Sequence, residues 1–188
     1  MGFTPPPQLK SGLFGARGPA AGPNPTGVLP KAPKPKGPAG IRVEQRIGVQ
    51  APAEVIWEVI HDIERWHEWN PLYPRAAGQV GIGKTLDLTL AVPGQPERQI
   101  QPVVLDWVPN EQLHWRLTLM GGLVKTIRFI EIDALSETGC IVNNGELFQG
   151  LMAKTVLRQM GRAVHRGFGQ MNEALKARAE ELWRQRQG

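Results

Sequence analysis

The chain has 188 residues, a single cysteine and a formal net charge of +5. Cys140 alone excludes an internal disulfide, and with it the class of small disulfide-stapled scaffolds. The positive charge is local: residues 1–40 carry Lys10, Arg17, Lys31, Lys34 and Lys36 and no acid, while the remainder balances 17 basic against 17 acidic residues. Net charge therefore gives no argument for a nucleic-acid partner.

No apolar run approaches the ~18 residues of a membrane span, so no stable membrane insertion is expected. The N-terminus shows no charged region followed by an apolar one, and Pro6 breaks the myristoylation pattern after Gly2, so a cytoplasmic location is the expectation. Residues 1–40 hold ten prolines and eight glycines. Such a segment buries too little apolar surface to offset its ordering entropy and is read as a disordered basic tail. Pro30-Lys31-Ala32-Pro33 within it matches a PxxP docking pattern, which Pro-rich sequence also produces by chance. The ordered domain is expected over residues 41–188.

Ile41, Val43, Ile47 and Val49 alternate with polar positions and predict a half-buried strand. Pro52 suits the first turn of a helix whose apolar stripe is Val55, Ile56, Val59 and Ile60. Asp62 is placed as the cap of a second short helix carrying Ile63, Trp66 and Trp69, closed by Asn70-Pro71. Leu86, Leu88, Leu90 and Val92 have strand period, followed by a Pro93-Gly94 turn. A strand over 100–108 puts Val103, Leu105 and Trp107 on one face. Leu113, Trp115, Leu117 and Leu119 alternate next, then a strand over 123–133. Short turns between such strands give antiparallel pairing. The last strand runs from Cys140 to Gln149, with a bulge or bend expected at Gly145.

A long amphipathic helix follows. Ala153, Leu157, Met160, Val164, Phe168, Met171, Leu175 and Leu182 recur at helical spacing. Lys154, Arg158, Arg162, Arg166, Glu173, Lys176 and Glu180 lie on the other face, whose basic run is most simply a solvated one. Gly161, Gly167 and Gly169 weaken the helix locally, which points to close backbone approach or a bend.

Few motifs carry chemistry. Gly78 to Thr85 matches the phosphate-loop pattern G-x-x-x-x-G-K-S/T, but it opens a strand and not the helix whose N-terminus would hold phosphate; a hairpin turn is the expectation. His61, His67, His114 and His165 have no facing partner at ligand spacing, so no metal site is expected. Glu146 shares strand parity with Asn144 and Phe148. If Phe148 faces the interior, Glu146 is a buried carboxyl in need of a partner or a raised pKa; the opposite parity sends all of them to solvent.

Three segments together, PAEVIWEVIHDIERWHEWNP, GQVGIGKTLDLTL and GELFQGLMAKTVLRQMGRAVHRGFGQMNEALKARAE, resemble the START-like (SRPBCC) superfamily, and within it the bacterial polyketide cyclase/dehydrase and lipid-transport branch. The resemblance covers about residues 41–185. It implies an α+β helix-grip fold: a curved antiparallel sheet of six to seven strands wrapped around the long C-terminal helix, with two short helices after the first strand. It also implies an apolar cavity between sheet and helix that takes a lipid, polyketide or aromatic molecule. Candidate lining residues are Leu88, Leu90, Trp107, Trp115, Leu117 and Phe148 from the sheet, with Leu157, Met160, Val164 and Phe168 from the helix. The alternative is a cyclase or dehydratase using polar groups in the same cavity, with Glu146, Asn144 and His114 the candidates. A third reading has the basic tail recruit an acidic partner or membrane surface. No cofactor is implied, and neither the reaction nor the oligomeric state follows from the sequence.

Overall fold

The computed structural model describes residues 39–188. The Pro/Gly-rich segment up to residue 38, with its PxxP match, lies outside the described residues. Strand β1 spans Ile41–Val49 and helix α1 Ala53–His61, followed by a 3-10 helix over Ile63–Glu68. Strands β2 (Arg75–Ala77), β3 (Asp87–Leu90), β4 (Arg98–Ile100), β5 (Val103–Val108), β6 (Gln112–Leu119), β7 (Val124–Ser136) and β8 (Gly139–Gln149) precede helix α2, Ala153–Gln187.

The strands form a five-stranded antiparallel sheet, β1-β8-β7-β6-β5, and a three-stranded one, β2-β3-β4. A bridge between Thr85 and Val103 joins them, reinforced where Leu86 N–H donates to the Pro102 carbonyl and Val104 N–H to that of Lys84. The fold is thus the expected helix-grip arrangement, with its sheet divided in two. The division falls within the strand expected over 100–108. Pro102 has no N–H to give to a ladder, and β4 ends before it while β5 starts after it.

The helices obey their stripes. Pro52 ends the loop before α1, its carbonyl accepting from Val55 and Ile56. The expected Asp62 cap does not form: Asp62 instead takes the Arg65 guanidinium at 2.6 Å, and the segment it opens is 3-10. Asn70 closes that segment, its side-chain oxygen accepting from the backbone N–H groups of Leu72 and Tyr73, which is the local turn that Asn favours. Trp66 is fully buried and donates from its indole to the Ile60 carbonyl at 3.0 Å. On α2, Val164, Phe168, Met171 and Leu175 are buried against the sheet. Gly167 marks a close approach, since a Cβ there would stand 3.0 Å from Leu72 and 3.2 Å from Pro93. The helix runs through its other two glycines without interruption.

Two details of parity differ from the sequence reading. A bulge between Val104 and Asp106 makes Trp107 pair with Leu113 and Val104 with Trp115, so the alternation assumed for Val103, Leu105 and Trp107 breaks at Leu105. At Gly145, by contrast, the register with β7 is continuous, from Arg128 opposite Glu146 to Ile130 opposite Asn144. Glycine stands there for space: a Cβ would fall 2.7 Å from the Val43 carbonyl oxygen and closer still to the Phe129 ring. The bulge of this hairpin lies at Leu135 instead.

Candidate functional site

Between the concave face of the sheet and the first half of α2 lies a cavity of about 270 Å³. Trp115, Leu117 and Leu119 of β6 and Phe148 of β8 form its sheet wall. Val156, Leu157, Met160, Val164 and Phe168 of α2 form the wall opposite, and Leu90 and Ile100 close one side. Strand alternation and the helical i, i+4 stripe aim these residues at each other. Of the lining residues expected from sequence, Leu88 and Trp107 are elsewhere. Leu88 is fully buried in the packed core. Trp107, displaced by the β5 bulge, stacks on Trp57 of α1 with ring centroids 6.1 Å apart and planes 8° from parallel.

Polar groups collect at one part of this wall. Glu146 faces the cavity beside Phe148, so the interior parity holds for both. Thr126 of β7 and Tyr73, the chain's only tyrosine, face it too. Behind them Arg128 is 2 % exposed, directly across the ladder from Glu146. Its guanidinium donates to the carbonyls of Phe129 and Gly145 at 2.9 and 2.7 Å and reaches the Met171 sulfur at 3.5 Å. It lies 4.0 Å over the Phe168 ring, with Trp115 beyond its other contacts at 5.6 Å. A planar cation fits such a slot where an ammonium does not.

Burial pushes the Glu146 carboxyl above its ordinary pKa, against the pull of the Arg128 charge and of the Thr126 hydroxyl. Glu146 is half-buried, and it lines the cavity. Burial also raises the Tyr73 hydroxyl, with Arg128 opposing and Glu146 adding to the shift. The arrangement therefore shifts the Glu146 carboxyl toward its protonated form, the form that donates a proton or a hydrogen bond into an apolar space.

The other two polar candidates are not in the cavity. Asn144 is fully buried, but its amide donates to Asn172 at 2.8 Å and to the Phe168 carbonyl at 3.4 Å, tying β8 to α2. His114 has the opposite parity to Trp115 and pairs with Glu131 at 3.3 Å on the outer face. Tyr73, Thr126 and Arg128 are not among the residues expected from sequence. The signal for two of them was present: Thr126 and Arg128 share parity with Val124, Ile130 and Ile132, all at most 2 % exposed, and a charge among such residues marks an interior polar site. The phosphate-loop match leads into β3 and no helix. Among the described residues no three His, Cys, Asp or Glu side chains converge as metal ligands, and no helix is long and apolar enough to cross a membrane.

The profile of the polyketide cyclase / dehydrase and lipid transport family matches residues 40–180. The chain belongs to that family. No curated protein matches it in sequence. Solved structures of similar shape include a START superfamily protein from Mycobacterium smegmatis, 20 % identical, with TM-score 0.58, over 75 % of this chain and 98 % of that one. The Zhui aromatase/cyclase from a Streptomyces species is 18 % identical with TM-score 0.60, over 76 % and 94 %. Norcoclaurine synthase from Thalictrum flavum is 15 % identical with TM-score 0.58, over 77 % and 96 %. These likenesses establish that this polyketide cyclase / dehydrase family member has the START-like fold.

Proposed function

We propose that residues 41–188 are a binding domain for a small hydrophobic molecule, a lipid, polyketide or aromatic compound, held between the sheet and α2. The observation that carries this reading is the cavity of about 270 Å³ with its aliphatic and aromatic wall. A dry void of that size costs about 6 kcal/mol at ~24 cal/mol per Å³, comparable with the entire stability of a domain at roughly 5–15 kcal/mol. Water makes poor use of an apolar wall, whereas an apolar ligand fills it. Titration with a fluorescent fatty acid or a polycyclic aromatic tests the reading. Wild type gives saturable binding, and Leu117→Trp, which fills the cavity, loses it.

A second reading, an enzyme of cyclase or dehydratase type, is favoured by Glu146. A carboxyl that burial shifts toward its protonated form, lining the same cavity as Tyr73, is suited to protonating a carbonyl oxygen or a leaving hydroxyl. Under this reading Glu146→Gln retains ligand binding and stops turnover of a poly-β-keto substrate. Equal turnover by both proteins sets the enzyme reading aside and leaves binding standing.

A further inference from the structure

The balanced charge of residues 41–188 conceals a segregation. No Asp or Glu occurs from Leu113 to Ile130, or from Leu147 to Asn172. Arg162 and Arg166, farther along α2, share a groove with Glu44 and Glu173, but these stretches also carry the exposed cations Arg116, Lys125, Lys154 and Arg158. They also frame one end of the cavity, through Leu119, Met120 and Val124 on the sheet side and Val156, Leu157 and Met160 on the helix side.

Two loops touch at that end. Met152 N–H donates to the Leu123 carbonyl at 3.2 Å, and Gly150, at φ +100°, packs so closely on Leu123 that no Cβ fits. On these loops Met120 is 56 % exposed, Leu123 45 % and Leu151 89 %. Met120 both lines the cavity and reaches solvent. It is also held at φ +54°, a left-handed conformation that an L side chain adopts only at a cost. A single exposed leucine is ordinary. Three large aliphatic side chains on two abutting loops, beside the exposed cations Lys125, Lys154 and Arg158, form a coherent patch.

We propose that this end of the molecule docks on an anionic lipid bilayer, with Met120, Leu123 and Leu151 entering the interface and the surrounding cations meeting the headgroups. Apolar tips beside cations are what a charged interface selects: the tips gain apolar contact and the cations gain surface potential. Nucleic acid would use the same cations but has little for three aliphatic tips, its own platforms being aromatic. The docking stands independently of the cavity reading. If both hold, a ligand passes between bilayer and cavity without crossing water.

The test uses the full chain and phosphatidylcholine vesicles with and without phosphatidylglycerol. The cations of residues 1–40 add binding to any anionic vesicle, so the readout is placed on the loop. Leu151→Cys is labelled with an environment-sensitive dye, the native Cys140 being buried. The expected result is a blue shift and intensity gain with phosphatidylglycerol vesicles and neither with phosphatidylcholine alone. In the same background, Met120→Asp with Leu123→Asp removes the shift and weakens vesicle binding about tenfold or more, for lost apolar insertion. Lys154→Glu with Arg158→Glu weakens binding without changing the thermal midpoint. Sedimentation with vesicles while the dye stays unmoved overturns the proposal, as does a dye response to duplex DNA or an acidic protein and not to vesicles.

Discussion

The residue that decides the chemistry of the cavity is Glu146, and its state rests on a competition. Burial favours the neutral acid, while Arg128 across the ladder favours the anion; burial is the larger influence. A carboxyl whose folded pKa is raised holds its proton more tightly folded than unfolded. Its stabilising contribution is complete below the ordinary glutamate value near 4.5 and is lost as pH rises through the folded value. Glu146→Gln, which copies the neutral acid, is therefore expected to be at least as stable as wild type at neutral pH. The stability gap between the two proteins grows in the variant's favour as pH rises from about 4.5 to the folded value and is constant above it. Denaturant melts across the acid-to-neutral range measure this; a loss of about 3 kcal/mol in the variant at neutral pH would mean that an ionised Glu146 pairs with Arg128. Arg128 itself is held by two carbonyls, a sulfur and an aromatic face. Arg128→Ala is expected to cost about 3 kcal/mol in the same melts, since it opens a hole and strands its partners. Arg128→Lys rescues little of that, because the slot is flat.

At the scale of elements, β8 is the hub: it pairs with β1 on one side and β7 on the other and presents Glu146 and Phe148 to the cavity. Gly145 lets both neighbours close in. Gly145→Ala is expected to destabilise by about 2 kcal/mol through overpacking against Phe129 and the β1 backbone, read as a lowered midpoint in thermal unfolding. The interior parity of β8 was legible in the sequence because Val142, Asn144, Glu146 and Phe148 hold one phase without interruption. The parity of β5 was not legible, since one extra residue at Leu105 reverses every later side chain and nothing in the residue types announces it. The reason for Gly145 was not legible, for a similar cause. A glycine in a strand signals either a bend or a close neighbour, and the neighbour, Phe129, lies sixteen positions away in the chain. The break at Pro102 carried its own signal, a missing donor within a strand.

For the whole molecule, the architecture was readable because each stripe agrees with the fold: α1, the Trp66 turn, the hairpins and α2 bury the faces their periodicities mark. The polar content of the cavity was less readable. Tyr73 comes from the loop before β2, Thr126 from β7 and Glu146 from β8, and only tertiary structure brings them together. Core and lining also share one pattern, so Leu88 and Leu90, two positions apart, divide between packed core and open wall. Filling the void should favour the empty fold: Leu117→Trp is expected to melt at or above the wild-type temperature while losing ligand. A marked fall in its melting temperature would mean that the wall is already closely packed. The central claim, that the cavity is a ligand site, is tested most directly by native mass spectrometry of protein purified from its own host. The account predicts a discrete small-molecule adduct on wild type that disappears on denaturation and is absent from Leu117→Trp. A wild-type protein that is ligand-free in repeated preparations, and stays so after incubation with lipids and aromatic polyketides, would contradict it.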